Sequence, residues 1–143
     1  MSQPHPIQND RVMFITTNVT NRKPIFANPA FAKEVIDTLY RIQSAHAFLL
    51  FGFVVMPDHC HLLLKVCPPD TISAMMRTFK IGVTFSIGIG PIWQPRFHLV
   101  IPKEPWKALD YIHQNPVRAR MVEDPMSYQW SSASGIWDVS RMD

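Results

Sequence analysis

His59 and His61 stand one residue apart in Val54-Val55-Met56-Pro57-Asp58-His59-Cys60-His61-Leu62-Leu63-Leu64-Lys65-Val66, where one apolar run meets a Pro-Asp turn and a second begins. In an extended chain successive side chains alternate faces, so the two imidazoles point one way and Cys60 the other. Two imidazoles on one rigid strand make half of a metal site. Their competing reading is a pair of hydrogen-bonded polar positions on the open face of a sheet, and the spacing leaves both open. Cys60 and Cys67 suggest zinc, but Cys60 faces away and no Cys-x-x-Cys spacing occurs, which argues against a closed structural zinc site. A half-site needs further donors. In Asp110-Tyr111-Ile112-His113-Gln114-Asn115, Tyr111 and Asn115 are four apart and share one helix face. Pro116 has no N–H and disfavours helical geometry in the residue before it, so Asn115 is expected at the helix's end.

The elements that must position these residues are legible from patterning. Arg11 to Val19 alternates β-branched and aromatic residues and predicts a first strand. Asn28-Pro29 reads as an N-cap and first helical residue; Phe31, Val35, Leu39 and Ile42 then recur at helical spacing, predicting a helix from about Pro29 to Ser44. Ala47 to Met56 is a dense apolar run suited to a buried strand, and the Pro57-Asp58 turn joins it to an antiparallel neighbour over His59 to Val66. Asp70 or Thr71 caps a helix carrying Ile72, Met75, Met76 and Phe79, which ends in the stretch Gly82 to Gly90. Trp93 to Ile101 reads as a further strand. Pro105 opens a last helix with Trp106, Leu109 and Ile112 on its apolar face, and Tyr128, Trp130 and Trp137 of the tail are expected to pack back on the body.

The order β-α-β-β-α-β-α contains the split βαβ arrangement. It predicts an α+β, ferredoxin-like fold: an antiparallel sheet with helices on one face, plus a C-terminal helix that carries Tyr111. Residues 11–143 form one expected domain, and the polar stretch Met1 to Asp10, with Pro4 and Pro6, a flexible arm.

Bulk properties narrow the class. The chain has 143 residues, 47% hydrophobic and 17% charged, a globular rather than disordered composition. No apolar run approaches the roughly 18 residues of a membrane span, so no membrane partner is expected. Two cysteines and no basic-then-apolar leader point to a reducing, cytoplasmic setting. The formal charge of +3 is a mild pointer to an anionic partner.

Together, MPDHCHLLL, WQPRFH and YIHQNPVRA resemble the single-domain HUH transposases with one catalytic tyrosine, the IS200-like and, more closely, the REP-associated tyrosine transposases. The similarity runs from about Val12 to Ser132. It implies a ferredoxin-like sheet, His59 and His61 as metal ligands, Tyr111 as nucleophile, and Asn115 as a residue able to complete the metal site. Two positions depart from the pattern: Leu99 and Val100 follow His98 where relatives often carry an acidic and a further polar residue, and Arg120 stands where glycine commonly follows NPVRA.

The implied activity is cleavage and joining of single-stranded or hairpin DNA through a covalent 5′-phosphotyrosine, with one Mg2+ or Mn2+ per site. A phosphodiester repels an anionic nucleophile, and a divalent ion would neutralise its oxygen as a Lewis acid. A phenol near pKa 10 is about one part in a thousand ionised at neutral pH, so its deprotonation needs help. His113 lies off the Tyr111 face and is not the expected base. For binding DNA, Arg22, Lys23, Arg77, Lys80, Arg118 and Arg120 are the basic candidates, each weighed against an ordinary solvated charge. Trp93, Phe97 and Trp106 are candidates for base stacking, with core packing expected for at least two of them. The resemblance leaves open both a monomer and a homodimer in which one chain's tyrosine serves its partner's histidines. Two rivals stand beside this reading. One is a non-catalytic or domesticated nucleic-acid-binding domain on the same scaffold. The other is a His-x-His hydrolase, which as a barrel needs about 250 residues.

Overall fold

The computed structural model describes residues 11–142; the arm expected over residues 1–10 lies outside them. Seven principal elements follow in the expected order: β1 (Val12–Asn18), α1 (Pro29–Arg41), β2 (Phe48–Met56), β3 (His59–Val66), α2 (Ile72–Ile87), β4 (His98–Val100) and α3 (Pro105–Arg118). The sheet order is β2-β3-β1-β4, every pairing antiparallel. That is the ferredoxin-like arrangement, with β2 carried to the sheet's edge by a crossover and β3 inserted between β1 and β2.

Alternation along the strands divides the molecule into two apolar layers. Met13, Ile15, Cys60, Leu62 and Leu64 face α1 and α2 and are completely buried with Val35, Leu39, Met75 and Phe79. On the opposite face Leu63, Val54 and Met56 meet Ala108 and Ile112 of α3, closed over by Tyr128. Fully burying such side chains stabilises by roughly 1.5–3 kcal/mol each, so alternation alone commits His59 and His61 to the α3 side. Cys60 lies on the α1/α2 side, where burial pushes its thiol up to about 12 and leaves it an apolar filler.

The helix starts follow local chemistry. Asn28 Oδ1 accepts from Ala30 N at 3.0 Å beside Pro29, and Thr71 Oγ1 accepts from Ala74 N at 3.2 Å. Gly88, at φ 72°, terminates α2 in the left-handed region.

Three expectations need correction. First, α3 does not end at Asn115: it continues through Pro116 to Arg118. Proline removes a single N–H from the last turn and its ring is buried there, so packing outweighs one lost hydrogen bond. The helix then closes in a Schellman motif, with Met121 N bonded to Pro116 O and Arg120 N to Val117 O, both at 2.9 Å. Second, the strand expected over Trp93 to Ile101 shrinks to His98–Val100. Trp93 keeps one isolated bridge to Val19, while Pro95, with no N–H, interrupts the ladder between them. Third, Trp106 points outward at 61% exposure, and Ala108, Ile112 and Pro116 form the buried face of α3 instead.

The tail does pack back. β2 is an edge strand, and its free side is covered by Val55 N→Trp130 O (2.8 Å), Phe53 N→Ser132 Oγ (3.0 Å) and Ser140 N→Leu50 O (2.8 Å). This satisfies backbone groups that would otherwise template aggregation.

Candidate active site

The site lies on the α3 face of the sheet, at the end where β3 begins. The Pro57–Asp58 turn is fastened from outside: Phe26 N donates to Pro57 O and Val19 N to Asp58 O, each at 2.9 Å. This fixes where β3 starts and therefore where His59 sits. His61, two residues on, is directly opposite Thr16 of β1. The imidazole centroids of His59 and His61 are 4.8 Å apart.

Each imidazole is held through its Nδ1. Asp58 Oδ1 lies 2.7 Å from His59 Nδ1, and Thr16 Oγ1 lies 2.8 Å from His61 Nδ1. Among the described residues neither Nε2 forms a hydrogen bond, which leaves both nitrogens open to a ligand. Carboxylate or hydroxyl support of the far nitrogen is the arrangement that fixes tautomer and orientation in metal-bound histidines. Burial, reinforced by the positive charges of His59, Arg118 and Arg22, pushes His61 down to about 3, so this imidazole is neutral and able to donate. The imidazole pair suits a divalent ion; among the described residues no group of three His, Cys, Asp or Glu side chains stands ready to hold one, and Asn115, half-buried on α3 one helical turn beyond Tyr111, is the candidate for a further donor. Imidazole suits zinc as well as magnesium or manganese; a carboxamide oxygen beside a phosphate favours the harder ions.

Asp58 has a second partner. Arg22 Nε donates to Asp58 Oδ2 at 2.9 Å, and its Nη2 is 3.4 Å from His59 Nδ1. Partial burial would raise the Asp58 carboxyl, but the hydrogen bonds from Arg22 and His59 outweigh it and hold Asp58 below the usual carboxylate range. Arg22 itself sits at φ 53°, next to Asn21 at φ 56°, a left-handed pair maintained by Thr20 N→Ile92 O and Arg22 N→Val19 O.

Tyr111 arrives on α3 of the same chain. Its ring is edge-on to His61, with centroids 5.7 Å apart, and against Phe14 at 5.9 Å, yet it remains 46% exposed. Arg118 folds back over it: the guanidinium carbon is 4.0 Å from the ring centroid, and Nη2 donates to Tyr111 O at 2.7 Å.

Of the basic candidates, Arg22 and Arg118 therefore flank the histidines and the tyrosine. Lys23 is exposed in the segment after Arg22, and Arg120 marks the end of α3 at φ 61°. Arg77 and Lys80 are not brought here; they belong to α2, across the sheet, where Lys80 Nζ donates to Gln94 O at 2.8 Å. His113 faces away from Tyr111, with Nε2 2.8 Å from Ser132 Oγ. Trp93 and Phe97 are partly buried against the core, as expected of two of the three stacking candidates.

Sequence reasoning missed Thr16, Asp58 and Gly52. Thr16 becomes visible only once β1 and β3 are set in register. Asp58 carried a signal as the immediate neighbour of His59 but was absorbed into the turn. Gly52 lies under α3, where an added Cβ would collide with Leu109 Cδ1 and come within 3.2 Å of Ser132 Oγ. Its lack of a side chain lets α3 approach the sheet closely enough to bring Tyr111 beside His61.

A ferredoxin-like sheet with an imidazole pair on its central strand and a tyrosine helix beside it defines the single-tyrosine HUH class. Residues 11–88 match the family described as Transposase IS200 like. The chain belongs to that family. It is 26% identical over 135 residues to the REP-associated tyrosine transposase of Escherichia coli (strain K12), covering 88% of this chain and 81% of that one. A solved REP-associated tyrosine transposase bound to a REP hairpin superposes with a TM-score of 0.79 at 24% identity, covering 100% of this chain and 94% of the other. A transposase candidate from Deinococcus radiodurans R1 gives 0.58 at 18% identity, over 84% and 98% of the two chains. At these identities the two structures speak for the fold.

Proposed function

We propose that this chain cuts and rejoins single-stranded, hairpin-bearing DNA, using Tyr111 as nucleophile. The observation that carries the reading is the 5.7 Å approach of the Tyr111 ring to His61 within one chain. Family membership supports the transposase class, and the hairpin carried by the solved relative supports the substrate form.

The Tyr111 hydroxyl oxygen attacks the scissile phosphorus. A tyrosine–phosphorus bond forms and the bond from phosphorus to the 3′-oxygen breaks, leaving a free 3′-hydroxyl and a 5′-phosphotyrosine. The phenolic proton is balanced by the proton taken up at the 3′-oxygen. Reversal by another strand's 3′-hydroxyl rejoins DNA without ATP, because the phosphodiester energy is kept in the tyrosyl ester. His59, His61 and Asn115 would hold one Mg2+ or Mn2+, which when bound neutralises a non-bridging phosphate oxygen and polarises phosphorus. Asp58 and Thr16 each hold one Nδ1 and so leave both Nε2 atoms to serve as ligands. Arg118 places a permanent cation against the attacking ring, and Arg22 leaves part of its guanidinium free for a phosphate.

Incubating wild type and Tyr111→Phe with end-labelled single-stranded hairpins and Mn2+, followed by a denaturing gel, tests the reading. Wild type should give a protease-sensitive shifted band and Tyr111→Phe none; a band that survives in the Phe variant removes Tyr111 from the reaction.

A further inference from the structure

A cleft runs along the outer side of α2, on the sheet face opposite Tyr111 and the histidines. Arg77, Lys80, Arg96 and Phe97 line a volume of about 480 Å³, within the roughly 300–1,000 Å³ typical of ligand sites. A second hollow of about 360 Å³ adjoins it through Lys80 and Ile81 and adds Phe85 and Trp93 to its wall. From Arg77 to Phe85 the helix rises about 12 Å, enough for a short run of nucleotides.

Two features mark this cleft. Arg77, Lys80 and Arg96 converge on it from α2 and from the segment before β4, and neither hollow is lined by an acidic residue. Beside these cations Phe85 is 87% exposed and Ile81, one helical turn before it, 59%. A cationic groove joined to an exposed aromatic ring, Phe85, matches a strand that offers phosphates and unpaired bases together. The cleft also leads toward the chemistry. Arg96 and Phe97 run straight into β4 at the sheet's edge, and His98 there pairs with Thr16 and shares its face with His61.

We propose that this cleft is a second binding site, which holds an unpaired DNA segment flanking the stretch engaged by Tyr111; the inference rests on the strand-transfer reading above. The segment passes from the Tyr111 face around the short β4 edge into the cleft, where Arg77 and Arg96 hold phosphates and Phe85 stacks on a base. The contact is independent of sequence.

The test titrates the full chain with a fluorescein-labelled ten-residue oligothymidine in rising KCl, and irradiates it with the same oligomer carrying 5-iodouracil. The expected result is cross-linked peptide between residues 77 and 97. Arg77→Ala/Arg96→Ala should bind about tenfold more weakly and lower the slope of log K against log salt by about 1.4, two contacts at roughly 0.7 each. Phe85→Ser, at a position too exposed to matter for folding, should lose the cross-link. An unchanged slope with cross-links confined to the α3 face overturns the proposal. So does sedimentation showing a dimer that Phe85→Ser abolishes, which would assign the stripe to a second copy. If the Tyr111 adduct never forms while cross-links and slope behave as expected, the strand-transfer reading fails and the cleft stands. If the adduct forms and the slope does not change, the cleft alone fails.

Discussion

Tyr111 and His61 meet edge to face with ring centroids 5.7 Å apart, one carried by α3 and the other by β3 of a single chain. The tyrosine and the imidazole pair thus come together within one chain. Mixing Tyr111→Phe with His61→Ala should restore no DNA adduct, because neither variant holds a complete site. Adduct at a quarter or more of the wild-type yield in the mixed sample, read on a denaturing gel, would show the tyrosine acting on a partner chain.

The hydrogen bonds behind the histidines give a second expectation. Asp58 and Thr16 each hold one Nδ1, at 2.7 and 2.8 Å. Asp58→Ala and Thr16→Val should weaken Mn2+ binding about 10- to 100-fold, the usual consequence of losing such support. Thr16→Ser keeps the hydroxyl and should stay within a few-fold of wild type. Mn2+ titration by electron paramagnetic resonance reads this directly, without DNA; equal affinity in all three variants would sever the hydrogen bonds from metal binding.

Much of this was legible before any coordinates. Alternation set His59 and His61 on one face and Cys60 on the other, because a one-residue slip would have exchanged the two sets of side chains between the faces. The element order sufficed for the ferredoxin-like topology. What stayed hidden depends on elements meeting. Thr16 looks like any strand threonine until β1 is paired with β3, and Gly52 like a flaw in an apolar run until α3 is laid across it. The overestimate of Pro116 has the opposite cause. Local propensity spoke clearly, and burial of the ring in the last turn of α3 overrode it.

Arg120 carries a stability prediction. It occupies the left-handed C′ position of α3 at φ 61°, where a side chain costs about 1 kcal/mol and glycine nothing comparable. Arg120→Gly should therefore stabilise by about 1 kcal/mol, a rise of about 3 °C in Tm for a domain of this size. Arg120→Ala removes the same charge but keeps the Cβ and should show no gain. Equal melting points for the two variants would mean that charge, not backbone geometry, governs this position.

His113 makes stability depend on pH. Burial lowers its pKa, only partly opposed by the charge of Asp110. The folded pKa lies below the unfolded value of about 6.5, so the unfolded chain binds the proton first as the medium turns acidic. The contribution is complete above pH 6.5 and is lost as pH falls toward the folded pKa. Urea midpoints should drop between pH 7.5 and 5.5, and less steeply in His113→Gln, which keeps a donor toward Ser132. His61 is depressed in the same direction, so the informative quantity is the difference between the two slopes.

The last expectation concerns how α3 reaches the sheet. A Cβ on Gly52 would enter the space of Leu109 Cδ1 and crowd Ser132 Oγ at 3.2 Å, an oxygen already bonded to Phe53 N and His113. The leucine methyl can rotate away, whereas the serine oxygen is held on two sides. Gly52→Ala should thus cost about 1–3 kcal/mol through overpacking. Removing the obstacle should return part of it: in Gly52→Ala/Leu109→Ala the two changes should be less than additive, with a coupling of about 1 kcal/mol in urea unfolding. Because α3 also carries Tyr111, the single Gly52→Ala variant should lose DNA-adduct yield even at temperatures where it is fully folded, and the double variant should regain some of it. Strict additivity, with adduct yield tracking only the folded fraction, would mean that α3 finds its place without the space at Gly52.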